Sequence, residues 1–144
     1  MPLIEVFMPK DTIEPGKRDE LGKQLVAEVM RAEGVPDTDT GRSISWLLWH
    51  DIDAWWVGQD RISATDPRYV VRVGVPEGAM DDTKRGAIIQ AVTAVLAKSE
   101  DDPSRLEREP AAFVIIDELR DGNLGAMGRV SRFSDIKQLL SAGD

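Results

Sequence analysis

The segment Leu3-Ile4-Glu5-Val6-Phe7-Met8-Pro9 alternates and then stops at a proline, the pattern of a short strand followed by a breaker. Val70-Val71-Arg72-Val73-Gly74-Val75-Pro76 does the same, and its proline lies 76 − 9 = 67 positions beyond the first. The same offset, carried along the chain without a gap, lays Lys17-Arg18 on Lys84-Arg85, Ala27 on Ala94 and Glu33 on Glu100. It also lays Pro36 on Pro103 and Gly58 on Gly125. The chain is written twice, as two copies of one supersecondary unit.

Each copy reads strand, helix, strand. Pro15 suits the opening turn of a helix, where a missing N–H costs little. Leu21, Leu25, Val26, Val29 and Met30 form one apolar stripe, and Gly34-Val35-Pro36 ends it. In the second copy Ile88, Val92, Val95 and Leu96 repeat the stripe, and Asp101-Asp102-Pro103 closes it. The returning strands, Ile44 to Trp49 and Ala112 to Ile116, are nearly continuous apolar runs, the pattern of strands covered on both faces. Two right-handed β-α-β units side by side predict an α/β (α+β) domain, a four-stranded sheet with both helices on one face. The opposite face is apolar and has no third layer to cover it, which predicts oligomerisation. The repeats span about residues 1–62 and 69–129, joined by a connector at 63–68. Residues 130–144 form a C-terminal arm, with Phe133 to Leu140 a short helix or a strap over a neighbour.

Composition narrows the function. A chain of 144 residues is one domain and buries about 70% of its unfolded surface, enough to fold without disulfide or metal. Hydrophobic residues at 42% and charged residues at 31% exclude disorder, and no membrane span is expected. Eighteen Lys+Arg against 26 Asp+Glu leave a net charge of −8, which disfavours nucleic acid and anionic membranes as partners. The absence of cysteine excludes thiolate chemistry, and a single histidine, His50, excludes a multi-histidine metal site within one chain. Neither metal nor cofactor is expected. No charged segment precedes an apolar one at the start, so a cytoplasmic protein is expected.

Two fused β-α-β units beginning Met-Pro-Leu-Ile, with Pro2 directly after the initiator, resemble the tautomerase superfamily. The resemblance runs from Pro2 to about Arg129 and is nearest to the long, fused forms such as cis-3-chloroacrylic acid dehalogenase and malonate semialdehyde decarboxylase. It also rests on the Pro9 and Pro76 strand ends, on the helix starts around Lys17 and Lys84, and on Val114-Ile115-Ile116-Asp117-Glu118-Leu119 followed by Gly122-Asn123-Leu124-Gly125. It implies a cofactor-free homotrimer in which Met1 is removed and Pro2 carries a free secondary amine. An α-amino group titrates at about 7.7–8.0, and an apolar pocket disfavours its charged form, which would bring Pro2 into the range of a general base. Pro2 would then move a proton between the carbon and oxygen ends of a 2-hydroxy-dienoate or 2-oxo carboxylic acid. Its counterpart at the repeat offset, Tyr69, is internal and supplies no amine.

The chain departs from the family where substrate carboxylates are held. The loops that carry arginines in relatives read Lys10-Asp11-Thr12 and Glu77-Gly78-Ala79, and a further family arginine falls on Trp46 and Phe113. Arg72, Lys10 and Arg129 are the replacement cations, since an anion clamp needs positive charge and Arg72 lies within an otherwise apolar strand. All four tryptophans fall within eleven residues. Trp46 and Trp49 are assigned to packing, and Trp55 or Trp56 to an apolar wall beside Pro2. Asp39, three residues after Gly34-Val35-Pro36, resembles the water-activating carboxylate of the decarboxylase branch, or else serves the local turn. Asn123 either orients water or a carbonyl, or supplies a hairpin turn. The alternatives are a hydratase, dehalogenase or decarboxylase on the same fold, or a trimeric scaffold that has lost its chemistry. A ferredoxin-like module shares the β-α-β units but orders its strands differently.

Overall fold

The computed structural model describes residues 1–143. The first repeat comprises β1 (Leu3–Pro9), α1 (Pro15–Glu33), a short α2 (Asp39–Ser43), β2 (Trp46–Ile52) and a hairpin of β3 (Trp55–Val57) and β4 (Asp60–Ile62). The second comprises β5 (Tyr69–Pro76), α3 (Asp82–Ala97), a short α4 (Arg105–Arg108), β6 (Ala112–Leu119) and a hairpin of β7 (Gly125–Ala126) and β8 (Arg129–Val130). Helix α5 (Phe133–Ser141) follows.

The sheet order is β2-β1-β5-β6, with β1 parallel to β2, β5 parallel to β6, and β1 antiparallel to β5. Each crossover therefore joins adjacent strands, and the repeats are related by an approximate two-fold between β1 and β5. In a ferredoxin-like sheet the β-α-β units are split instead. Ile4, Val6 and Met8 of β1 and Val71, Val73 and Val75 of β5 are fully buried beneath Leu25 and Val29 of α1 and Ile88, Val92 and Leu96 of α3. Alternate strand residues point to one face, so the period of two sends this set to the helices and leaves the intervening residues on the other side. Among the described residues, no helix is long and apolar enough to cross a membrane.

The return strands differ from the expectation of two covered faces. They are the outer strands of the sheet, and their exposure alternates: Trp46 is 65% and Phe113 61% exposed, with Leu48 and Ile115 also exposed. Their apolar runs serve the helices on one side and leave an open surface on the other. Register places Leu48, Glu5, Arg72 and Ile115 in one row of that open face. The neighbouring row is His50, Phe7, Val70 and Phe113. A polar band crosses it, with His50 Nε2 3.1 Å from Glu5 Oε1 and Arg72 Nε donating to Asp117 at 2.9 Å. The His50 ring stacks on Phe7 at 4.3 Å between centroids.

Helix α2 delays β2 until Trp46. Thr38 caps it by accepting from the Gly41 N–H at 3.0 Å. Gly41 is buried, and a Cβ there would lie 2.0 Å from the Pro36 carbonyl oxygen. Gly41→Ala is therefore expected to destabilise the fold by about 1–3 kcal/mol, the usual range for overpacking, read as a lower urea midpoint at unchanged slope.

Candidate active site

The amino-terminal end of β1 brings together the chain's terminal amine, a buried charge and two surface hollows. Pro2 is buried, and its carbonyl accepts from the Trp46 N–H at 3.0 Å, which pins the chain to the start of β2. With Met1 in place the Pro2 nitrogen is in a peptide bond, and the terminal amine is that of Met1, whose side chain is 13% exposed. That amine lies 3.0 Å from Glu33 Oε1.

Glu33 is the last residue of α1, one turn beyond Val29 on the stripe that faces the core. Its side chain is 4% exposed, and Oε2 has no hydrogen-bond partner. Burial pushes its carboxyl above the ordinary range, against the pull of the facing ammonium and of Lys84. Lys84, in the first turn of α3, directs its ammonium at the carbonyls of Glu33 (3.4 Å) and Ala79 (3.3 Å). The chain leaves α1 through Gly34, whose φ of 90° is left-handed and natural to glycine.

Two hollows border Met1. One, of about 520 Å3, is lined by Glu33, Lys84, Pro76, Phe133 and Leu140; the other, of about 600 Å3, by Ile44, Leu124, Arg129, Ile136 and Leu139. Ile136 of α5 borders both. The C-terminal helix thus folds over its own amino terminus, with the Phe133 N–H donating to Asp121 Oδ1 at 3.0 Å. Among the described residues, no group of three or more acidic or histidine side chains is placed to hold a metal ion.

The second repeat builds the equivalent corner differently. Tyr69, at the offset of Pro2, donates its hydroxyl to Glu100 Oε1 at 2.9 Å, and burial drives its phenol far above the usual value. Glu100, at the offset of Glu33, also accepts two bonds from Arg105 at 2.9 Å. Glu33 closes α1 and Glu100 lies three residues beyond α3; the second faces a tyrosine and an arginine, the first the amine of Met1.

Of the residues singled out by sequence, Arg129 shares a hollow with Met1. Arg72 lies on the open face of the sheet, in register with Glu5 and bound to Asp117, away from the amino-terminal hollows. Lys10 is eight positions along the strand from Pro2, about 26 Å at the usual rise. Trp55 and Trp56 belong to the hairpin at that far end, where Arg61 lies over the Trp56 ring at 5.6 Å. Lys10 and Arg61 line a separate hollow there of about 290 Å3. Asp39 is exposed at the start of α2 and pairs with Arg42. Asn123 is exposed in the turn before β7, where its N–H donates to the Arg120 carbonyl at 3.0 Å. Sequence reasoning did not single out Glu33 and Lys84, which line a hollow with Met1. The signal for Glu33 was present, a charge on the apolar stripe at the repeat offset of another glutamate.

No family model and no curated protein sequence matches the chain. Solved structures do. A fused 4-OT, determined as an asymmetric trimer, superposes with a TM-score of 0.70 at 19% identity, covering 89% of this chain and 94% of that one. N1, a member of the cis-3-chloroacrylic acid dehalogenase family, gives 0.72 at 12% identity, covering 99% and 92%. Pt0534, in a form inactivated by 2-oxo-3-pentynoate, gives 0.72 at 15% identity, covering 92% and 97%.

The chain has the tautomerase-superfamily fold.

The tautomerase fold accounts for the duplicated crossover and for the sheet order. Over most of its length the backbone follows these neighbours, while few side chains are shared, so the chemistry of the site has to be argued from the chain's own residues.

Proposed function

We propose that the processed chain is a cofactor-free tautomerase or isomerase acting on a small 2-oxo or 2-hydroxy-dienoic carboxylic acid, with Pro2 as the group that moves the proton. The observation that carries this reading is that Met1, directly before the buried Pro2, borders both hollows, with Lys84 lining one and Arg129 the other. Loss of Met1 would free the ring nitrogen and vacate the space its side chain fills. Arg129 would hold the substrate carboxylate in bidentate fashion. The apolar wall of Ile44, Leu124, Ile136 and Leu139 would limit water, so that a proton taken from the carbon beside the carbonyl is returned to the substrate rather than exchanged. Similarity to a protein inactivated by a 2-oxo acid supports the substrate class.

Expression of the untagged chain, a mass spectrum of the intact protein, and assays with enolised phenylpyruvate, 2-hydroxymuconate and haloacrylates test the proposal. A mass lacking one methionine together with ketonisation of an enol supports it, and an intact Met1 in naturally produced protein retires it. The scaffold reading has its own support in the partly buried Met1 side chain and its paired amine, and the same spectrum decides between the two.

The homotrimer is part of this proposal. The open face carries Trp46, Leu48, Phe113 and Ile115, an apolar surface of the kind that association buries. A closed ring joins unlike ends of neighbouring subunits, so the Lys10, Trp55 and Trp56 end of one subunit would be free to meet the Pro2 end of the next. Wild-type protein should then scatter light at three times 15.9 kDa. Phe113→Glu, which sets a charge into that face, is expected to elute as a folded monomer.

A further inference from the structure

Glu33 is a buried carboxylate at a fixed helix end, with one oxygen on the chain's amine at 3.0 Å and the other without a partner. A charge in such a place is retained only when it is paired. In the second repeat the equivalent glutamate is paired with a cation, Arg105. In the first repeat the amine takes that place, because Lys84 spends its ammonium on two backbone carbonyls. The other charged groups around the amine are Glu77 from the loop after β5, Arg129 of β8, and Asp135 and Lys137 of α5. Asp135 is turned back to the Arg132 N–H at the start of its own helix. Loss of Met1 withdraws the amine by one residue, about 3.8 Å along the backbone, and takes from Oε1 the ammonium it accepts from, while Oε2 already has no partner.

We infer that Glu33 is the counter-ion of the reacting amine, and that in the processed chain it keeps Pro2 in the ammonium form, so that the site enters turnover as a proton donor to an enol. This rests on the reading of Pro2 as the proton-transferring group and gives that reading a direction. For a 2-hydroxy-dienoate the step is ketonisation. The N–H bond of Pro2 breaks as the C=C pair forms a C–H bond. The hydroxyl O–H breaks as the C=O bond forms, and the proton it releases returns to the amine. Glu33 is not consumed. Glu33 is thus a positioning residue that sets the charge of Pro2, opposing the desolvation that would favour a neutral base.

The test uses protein whose mass shows a free Pro2, with the proline nitrogen labelled with 15N, comparing wild type, Glu33→Gln and Glu33→Asp. An opposite charge within a few ångströms moves a titration by about one to three units, so Glu33→Gln should lower the Pro2 midpoint by at least one unit. The alkaline limb of kcat/KM for ketonisation should fall with it, and Glu33→Asp should restore part of both. An unchanged nitrogen midpoint in folded Glu33→Gln overturns the inference. Should that variant not fold, the wild-type midpoint decides: at or above about 8, the free α-amino value, it supports the inference, and a lower one overturns it. The nitrogen titration needs no substrate. Failure of the counter-ion is therefore distinguishable from failure of the proposed activity, which would show as a normal titration with no turnover.

Discussion

Pro2→Ala is expected to lower kcat/KM toward enolised 2-oxo acids by about 10²-fold while leaving the melting temperature within a few degrees. General acid–base groups contribute about 10²–10⁴-fold, and the lower end applies because alanine still presents an amine. The ring is lost, and with it the fixed φ that aims the nitrogen, together with the secondary amine's basicity. A primary amine on a freer backbone samples the productive direction only part of the time. Stopped-flow loss of enol absorbance, with circular dichroism to verify the fold, measures both halves of the expectation. Unchanged turnover in the variant would remove Pro2 from the chemistry.

The largest expected effect on stability lies in the other repeat. Arg105 is the hub of its corner, bonded to Glu100, to Asp66 at 2.9 Å and to the Pro67 carbonyl at 2.8 Å. Glu100 is only 7% exposed at its side chain. Arg105→Leu would leave that carboxylate buried with the Tyr69 hydroxyl as its remaining bond, at a cost of about 3 kcal/mol, the lower end for breaking a buried pair because Asp66 reaches solvent. Adding Glu100→Gln should recover part of the loss, since it removes the stranded charge. Urea melts of the four members of this cycle measure the coupling directly. Equal losses in the single and double variants would show that Arg105 acts through packing alone.

The architecture was legible because its signals are local. Leu3 to Pro9 and Val70 to Pro76 alternate with a period of two, and Leu21 to Met30 and Ile88 to Leu96 repeat at helical spacing. The constant offset of 67 made one half interpret the other. The return strands were found but misjudged. An apolar run such as Trp46 to Trp49 reads the same whether its outer face is covered within the subunit or left for another one. Helix α2 escaped notice because five residues are too few to show a period.

Of the residues in the proposed site, the sequence singled out Pro2 and Arg129. Arg72 stood out as a charge in an apolar strand, and the charge does have a reason, but that reason is Asp117 on the open face. Glu33 was visible as a match between repeats, yet its meaning depends on the chain's own terminus lying against it.

By itself, then, the sequence determined two β-α-β crossovers, one buried sheet face and one bare one, because hydrophobic period and chain breakers act over a few residues. Only the tertiary structure decided which charges meet the amino terminus. A strand carries Lys10 and the Trp55–Trp56 hairpin some 26 Å from Pro2, and its alternation turns Arg72 to the far face. Folding α1, α3 and the C-terminal helix over the same end of the sheet brings Glu33, Lys84 and Ile136 together from positions more than fifty residues apart.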